Sequence, residues 1–146
     1  MSLETLSADK VQVVDQVDDW EQAINLAAQP LLKQDYFEQS YIKAMIDSVK
    51  QLGPYIVIAP EIAIAHARPN DDVKQVGLSL LKLNHHINFS ENDHYASLIF
   101  VLSAIDNEAH LAILRNLAAI LGNQETVNKL LTAQTAEEII NIIQGE

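Results

Sequence analysis

The sequence predicts an α/β fold in which a mixed β-sheet is flanked by helices on both faces. Short apolar, β-branched stretches alternate with segments whose apolar residues recur at helical spacing, an order typical of one sheet covered by helices. The stretch 97–103 is apolar on both faces, which indicates a central strand buried from both sides. The chain of 146 residues has the length of one domain with its own core, so we expect a single domain over residues 1–146.

The first third of the chain predicts one strand and two helices. Residues 10–17 are rich in valine and indicate a strand. A helix follows, capped by Asp18 or Asp19, and Pro30 is expected to bend it or to end it one residue earlier. A second helix ends at Gly53. Its apolar stripe, whose tyrosine and methionine are expected in the core, consists of Phe37, Tyr41, Met45, Val49 and Leu52.

Residues 53–69 read GPYIVIAPEIAIAHARP and contain two apolar runs, 55–58 and 62–65, which predict two short buried strands. His66 falls at the carboxyl end of the second run, the edge at which α/β sheets usually bind ligands. The imidazole and the nearby guanidinium of Arg68 suit an anionic ligand such as phosphate. The spacing leaves open that His66 only caps a strand and that Arg68 is a solvated loop residue.

The second half of the chain predicts two strands and three helices. Residues 76–83 and 97–103 predict strands that can pair as an antiparallel hairpin, which would make the sheet mixed. A long helix ends at Gly122. Two short helices are predicted at 125–131 and 136–143, and the second of these begins with capping-box spacing.

His110 is the second histidine that the pattern singles out. It lies in the first turn of the long helix, which Asp106 or Asn107 caps, on the same face as the apolar residues. If the strands that precede the two histidines run parallel, His110 and His66 meet at one edge of the sheet, and a helix N-terminus there suits phosphate. A buried histidine bonded to a carbonyl is the alternative.

The other histidines carry a weaker signal. A polar connection is predicted at 84–92, and His85, His86 and the following His94 are expected to be solvated. The sequence has no H-x-x-x-H or H-E-x-x-H spacing and no cysteine, so a zinc site has no support. It has no G-x-S-x-G elbow of a serine hydrolase, and with only four glycines it has no glycine-rich phosphate loop. We therefore expect neither a metal nor a cofactor.

Composition limits the possible partners. Nine Lys and Arg residues against 20 Asp and Glu residues give a formal net charge of −11. This charge argues against nucleic acid and anionic membrane as partners and favours a small molecule or a basic protein. Solubility alone also explains the negative charge. No apolar run reaches the roughly 18–20 residues of a membrane span, and no secretory signal is visible. We expect a cytoplasmic protein without membrane insertion, with residues 1–3 as a possible remnant of cloning.

Residues 53–69 resemble the active-site segment of phosphotransferase-system (PTS) IIA domains of the mannitol/fructose type. The match is closest to the ascorbate-like subgroup, whose segment runs G-P-Y-I-V-I-A-P-G-I-A-[IL]-P-H-A-R-P. The resemblance continues through SLLKL and LIFVLSAIDNEAH and covers about residues 20–143. Two positions depart from the family pattern: Glu61 stands where glycine is usual, and Ala65 where proline is usual. A mannitol-branch arginine on the preceding helix has no counterpart.

The resemblance implies a phosphoryl carrier with the fold described above. Such a IIA domain accepts a phosphoryl group from phospho-HPr on a histidine and passes it to a cysteine of a IIB component, which serves a membrane IIC component. The acceptor position falls on His66, with the phosphate on Nε2, and the second active-site histidine falls on His110. Arg68 is expected to add positive charge for the phosphate. The dry centre of the partner contact is expected at Ile64, Ala65 and Ala67.

Two other functions compete with phosphoryl transport. One is a regulatory module of the same fold, phosphorylated for signalling, and the other is a metal-dependent hydrolase that uses the two histidines with carboxylates. The transported sugar and the oligomeric state do not follow from the sequence.

Overall fold

The computed structural model describes residues 6–67, 72–90 and 94–144. Within these ranges the chain forms a short 3₁₀ turn, five strands and five α-helices. The strands are β1 (Val11–Val14), β2 (Val57–Ala59), β3 (Glu61–Ala65), β4 (Gly77–Asn88) and β5 (Tyr95–Ser103). The helices are α1 (Trp20–Lys33), α2 (Gln39–Leu52), α3 (Asn107–Leu121), α4 (Gln124–Thr132) and α5 (Ala136–Ile143). None of the helices in these ranges is both long and apolar enough to cross a membrane.

The sheet is mixed, as the sequence predicts. Its strand order is β1-β4-β5-β3-β2. The β4–β5 pair is the expected antiparallel hairpin, and β2 is antiparallel to β3. The pairs β1–β4 and β3–β5 are parallel. Because β3 and β5 are parallel neighbours, the segments that follow them leave the sheet at the same edge.

Helices cover both faces of the sheet, which confirms the predicted fold class. Helices α1 and α2 pack on one face and α3, α4 and α5 on the other. The central strand β5 sends Ile99 and Val101 to the first face and Leu98, Phe100 and Leu102 to the second, and all five are fully buried. Each such side chain contributes about 1.5–3 kcal/mol when it leaves water. This two-sided burial fixes the position of β5 and of its carboxyl end.

Helix α1 continues through Pro30 to Lys33, so the predicted end near residue 29 is wrong, whereas the alternative of a bend at Pro30 stays a prediction. A proline lacks the N–H that would bond the carbonyl four residues earlier, which here belongs to Leu26. The side-chain amide of Gln12, on β1, donates to that carbonyl at 2.7 Å. A partner from another element therefore replaces the lost bond. The predicted cap is confirmed at Asp19, whose side chain accepts from the backbone N–H of Gln22.

Strand β4 is longer than predicted, and the polar connection expected at 84–92 is wrong for its first half. His85 and His86 lie on β4, which continues to pair with β5 at Ile87 and Asn88. Backbone hydrogen bonds do not depend on the polarity of the side chains, so the hairpin extends past the part of the sheet that the helices cover. Because most side chains at the end of β4 are exposed and polar, the sequence pattern there does not indicate that the strand continues.

Burial differs from the prediction at two apolar residues. Strand β2 is real, but it lies at the edge of the sheet and Ile58 is 53% exposed, so the expectation of a buried strand is wrong. Leu52, expected on the core stripe, is 72% exposed in the last turn of α2. Tyr41 and Met45 of the same stripe are each only 1% exposed, as predicted.

The turn between β2 and β3 holds an unusual backbone conformation. Glu61 follows Pro60 and has φ = +74°, in the left-handed region that glycine adopts without strain. The ascorbate-like motif has glycine at this position. The Glu61 carboxylate accepts a hydrogen bond from Ser97 Oγ at 2.9 Å, which compensates part of the strain.

Candidate active site

The sheet topology brings His66 and His110 together. His66 directly follows β3, and His110 lies in the first turn of α3, which follows β5. The centroids of the two imidazole rings are 5.0 Å apart and the rings meet edge to face, at 71°. The convergence expected from parallel strands is therefore present in the structure.

The ring of His66 is held in one tautomer. Its Nδ1 lies 2.8 Å from the carbonyl oxygen of Ile64. A carbonyl oxygen can only accept a hydrogen bond, so Nδ1 must carry the proton. In a neutral imidazole the other nitrogen, Nε2, then keeps its lone pair. In that form the half-buried His66 has an unprotonated Nε2.

Two tyrosines contact the backbone around His66. The ring of Tyr55 meets that of His66 edge to face at 5.5 Å, and its hydroxyl donates to the His66 carbonyl oxygen at 2.9 Å. The N–H of Ala67 donates to the hydroxyl oxygen of Tyr41 at 3.2 Å. The Tyr41 hydroxyl in turn donates to the carbonyl oxygen of Leu102, on β5, at 2.9 Å.

Both tyrosines stay protonated near neutral pH. Burial raises the pKa of Tyr41 to about 12, although its hydrogen bond to Ala67 works in the opposite direction. Burial also raises the pKa of Tyr55, against a smaller lowering by a hydrogen bond with Ser48. Each hydroxyl is therefore a permanent donor. The sequence prediction assigned Tyr41 only to the core and gave Tyr55 no role, so it missed both contacts.

His110 occupies a favourable place for a phosphate. Asp106 caps α3 by accepting from the N–H of Ala109 at 2.8 Å, which confirms one of the two predicted caps. The free N–H groups and partial positive charge of a helix N-terminus favour an anion. Burial and, to a lesser extent, the neighbouring His66 lower the pKa of His110. The lowered pKa favours the neutral form of His110, which can donate one hydrogen bond.

The remaining predicted residues divide into two groups. Arg68 lies outside the described residues. His85 and His86 are exposed, as expected, whereas His94 is half-buried and its Nδ1 lies 2.7 Å from Ser90 Oγ. All three lie on or beside the β4–β5 hairpin. In the part of the chain that the structure describes, no three His, Cys, Asp or Glu side chains are grouped as the ligands of a metal ion would be.

The apolar surface beside the histidines differs from the predicted one. Ile64, Ala65 and Ala67 are at most 8% exposed, because the side chains at the end of β3 point into the core on both faces of the sheet. They cannot form the centre of a partner contact, and that expectation is wrong. Two exposed apolar residues lie next to the cap of α3 and next to His110 in the sequence, namely Ile105 and Leu111 at 55% and 51% exposure.

The chain is similar over most of its length to known proteins. The family model described as phosphoenolpyruvate-dependent sugar phosphotransferase system, EIIA 2, matches residues 4–146. The chain is 34% identical over 133 residues to the mannitol-specific cryptic phosphotransferase enzyme IIA component of Escherichia coli K12, covering 91% of this chain and 90% of the relative. It is 28% identical over 130 residues to the ascorbate-specific PTS system EIIA component of the same organism, covering 88% and 84%.

A solved structure has the same fold. The chain superimposes with a TM-score of 0.85 and 24% identity on the complex of enzyme IIAMTL and phosphorylated enzyme IIBMTL from Escherichia coli, covering 96% of this chain and 97% of the matched one. At 24% identity, this likeness shows a shared fold and nothing further.

Proposed function

We propose a residue-level route for phosphoryl transfer in this chain, which belongs to the phosphoenolpyruvate-dependent sugar phosphotransferase system EIIA 2 family. The chain is a phosphoryl carrier of a sugar phosphotransferase system. In the proposed route phospho-HPr is the donor, His66 Nε2 is the acceptor, and a cysteine of a IIB component receives the group. The observation that carries the proposal is the bond from His66 Nδ1–H to the carbonyl of Ile64, which leaves Nε2 unprotonated.

The first transfer forms one bond and breaks another. The lone pair of His66 Nε2 attacks the phosphorus of phospho-HPr, and the bond from phosphorus to the HPr histidine breaks. The imidazole ring of His66 gains positive charge, which the carbonyl oxygen of Ile64 stabilises through the Nδ1–H hydrogen bond. No proton has to leave Nε2 before the attack.

His110 acts on the group that is transferred. In the transition state of phosphoryl transfer, negative charge is spread over three equatorial oxygens, so catalysis depends on positioning and on charge stabilisation. The neutral His110 imidazole, 5.0 Å from His66 between centroids, can donate a hydrogen bond to one of these oxygens. Arg68, two residues after the acceptor in the sequence, is proposed to add positive charge.

The second transfer passes the group to a IIB component. The complex of enzyme IIAMTL with phosphorylated enzyme IIBMTL supports this partner, because that IIA has the fold of this chain. We propose that the chain works in the cytoplasm and that HPr and IIB bind in turn over the edge that carries the two histidines. A membrane IIC component then takes part only through IIB.

Intact-mass measurement tests the proposal directly. After incubation with phosphoenolpyruvate, enzyme I and HPr, the protein should gain one phosphoryl group, and His66→Ala should gain none. The matched control is His85→Ala, which removes an exposed histidine on β4 and should be phosphorylated like the wild type. Phosphorylation of His66→Ala at the wild-type rate would refute the assignment of the acceptor.

A second stage of the same experiment separates transport from regulation. Addition of a IIB component should discharge the phosphorylated protein and label the IIB cysteine. If His66 is phosphorylated but no IIB component of the host discharges it, the regulatory alternative replaces the transport role.

A further inference from the structure

We infer that Tyr41 and Tyr55 are positioning residues that together hold the peptide group between His66 and Ala67, and thereby keep Nε2 of His66 unprotonated. The inference rests on the proposed function, because it concerns the nucleophilic nitrogen of the same histidine. It adds two residues that lie 25 and 11 positions before the acceptor in the chain.

The two hydroxyls bind opposite sides of one peptide group. The carbonyl of His66 accepts from Tyr55, and the N–H of Ala67 donates to Tyr41. A peptide group has only these two polar groups, so both are occupied by tyrosine side chains. Strand β3 ends at Ala65, and the tyrosines therefore restrain the backbone at the point where the strand stops.

Restraint of this peptide group restrains the imidazole. Nδ1 of His66 reaches back to the carbonyl of Ile64, two residues earlier, at 2.8 Å. That contact depends on the φ torsion of His66 and on its side-chain torsions. Rotation about φ moves Cβ and the carbonyl carbon of His66 together, so the hydrogen bonds that hold the His66 carbonyl and the Ala67 N–H limit this rotation. When these bonds are lost and φ can change, the Nδ1–H bond weakens and the proton can move to Nε2, which abolishes the lone pair there.

Tyr41 also connects the two histidine-bearing segments. Its single hydroxyl proton goes to Leu102, whose oxygen lies at 2.9 Å, rather than to the oxygen of Ala67 at 3.3 Å. Leu102 is near the end of β5, the strand that leads to α3 and His110. One buried hydroxyl on α2 therefore links the segment after His66 to the strand before His110. This link adds to the direct pairing of β3 with β5 that holds the two segments together.

Substitution of each tyrosine by phenylalanine removes the hydroxyl and keeps the ring. Tyr41→Phe and Tyr55→Phe are compared with Tyr95→Phe, a control at the opposite end of β5. Long-range ¹H–¹⁵N correlation spectra of the unphosphorylated proteins report which nitrogen of His66 carries the proton. We expect the wild type and the control to show Nδ1–H alone, and both site variants to show a mixture of the two tautomers.

Kinetics of phosphoryl uptake from phospho-HPr provide the second measurement. Loss of one such hydrogen bond should lower kcat roughly 3- to 10-fold. The KM for phospho-HPr should not change in Tyr41→Phe, because this side chain is only 1% exposed and cannot touch a partner. A general loss of structure would instead change KM and kcat together and would be visible by circular dichroism.

The outcomes separate this inference from the proposed function. Wild-type tautomer and wild-type kcat in both site variants would overturn the inference and leave the acceptor assignment intact. If the wild type takes up no phosphate on His66, the proposed function fails, but the tautomer spectra still test the role of the tyrosines. Should Tyr41→Phe fail to fold, Tyr55→Phe keeps the test decisive, because Tyr55 is 39% exposed and its substitution does not disturb the core.

Discussion

Replacement of His110 tests how much of the rate depends on the hydrogen bond that we propose from His110 to the transferred group. The loss of a donor to a developing oxyanion in a buried site costs about 2.7–4 kcal/mol, whereas a hydrogen bond in contact with water contributes about 0.5–1.5 kcal/mol. His110 is half-buried at the first turn of α3, between these limits. We therefore expect His110→Ala to raise the barrier by about 2–3 kcal/mol, a decrease in rate of roughly 30- to 150-fold.

The assay is single-turnover transfer from phospho-HPr with the IIA protein limiting, so that chemistry rather than product release is measured. His110→Gln keeps a donor at a similar distance from the backbone and should recover part of the loss. His85→Ala controls for the removal of a histidine far from the acceptor. A His110→Ala variant that exchanges phosphate at the wild-type rate would show that the ring packs beside His66 without acting on the phosphoryl group.

Three further predictions concern stability. Gln12→Leu should lower the free energy of unfolding in urea by about 1–3 kcal/mol, because it leaves the Leu26 carbonyl of helix α1 without a donor. Most of this loss should disappear in a Pro30→Ala background, where a backbone N–H again bonds that carbonyl. Equal losses in both backgrounds would contradict the role of Gln12. Glu61→Gly should be more stable than Glu61→Ala by roughly 1 kcal/mol, because both variants lose the hydrogen bond to Ser97 but only glycine adopts a positive φ without strain. Equal midpoints of urea unfolding for the two variants would contradict this. Because the pKa of His110 is lowered by folding, His110 takes up a proton at a higher pH in the unfolded chain than in the folded chain. The free energy of unfolding should therefore fall as the pH drops below about 6.5, and it should fall less steeply in His110→Gln. The same dependence on pH in the wild type and in His110→Gln would show that other groups dominate.

The sequence was sufficient for the features that depend on local pattern or on strand direction. A cap at Asp106 or Asn107 follows from residue type and spacing, and the structure shows Asp106 as the cap. The meeting of His66 and His110 was predicted on the condition that the two preceding strands run parallel, and in the structure these strands are parallel neighbours. The prediction succeeded there because a few backbone rules determine where a strand ends.

The features that the sequence did not predict depend on contacts between distant elements. Pro30 has the local signature of a helix end, but the amide that satisfies the freed carbonyl comes from Gln12, on β1. Likewise, the helical spacing of Tyr41 places it in the core correctly, but the spacing says nothing about its hydroxyl. A tyrosine rather than a phenylalanine at a fully buried position does indicate a hydrogen-bond partner. Only the folded structure identifies the partners of this hydroxyl as the carbonyl oxygen of Leu102 and the N–H of Ala67, directly after His66.

The two departures from the family motif lie at opposite ends of β3, and neither removes a group that acts on the acceptor. Glu61 changes the turn into the strand, and its carboxylate bonds to β5. Ala65, in place of the usual proline, is fully buried and pairs with β5, and the groups that hold the His66 ring belong to other residues. Proline would fix its own φ and stiffen the backbone just before the histidine. Alanine lacks that restraint. We therefore expect the hydroxyl of Tyr55, which donates to the next carbonyl, to restrain the backbone more here than it would beside a proline. If this is correct, Ala65→Pro should reduce the effect of Tyr55→Phe on kcat, and equal effects in the two backgrounds would show that the restraints are independent.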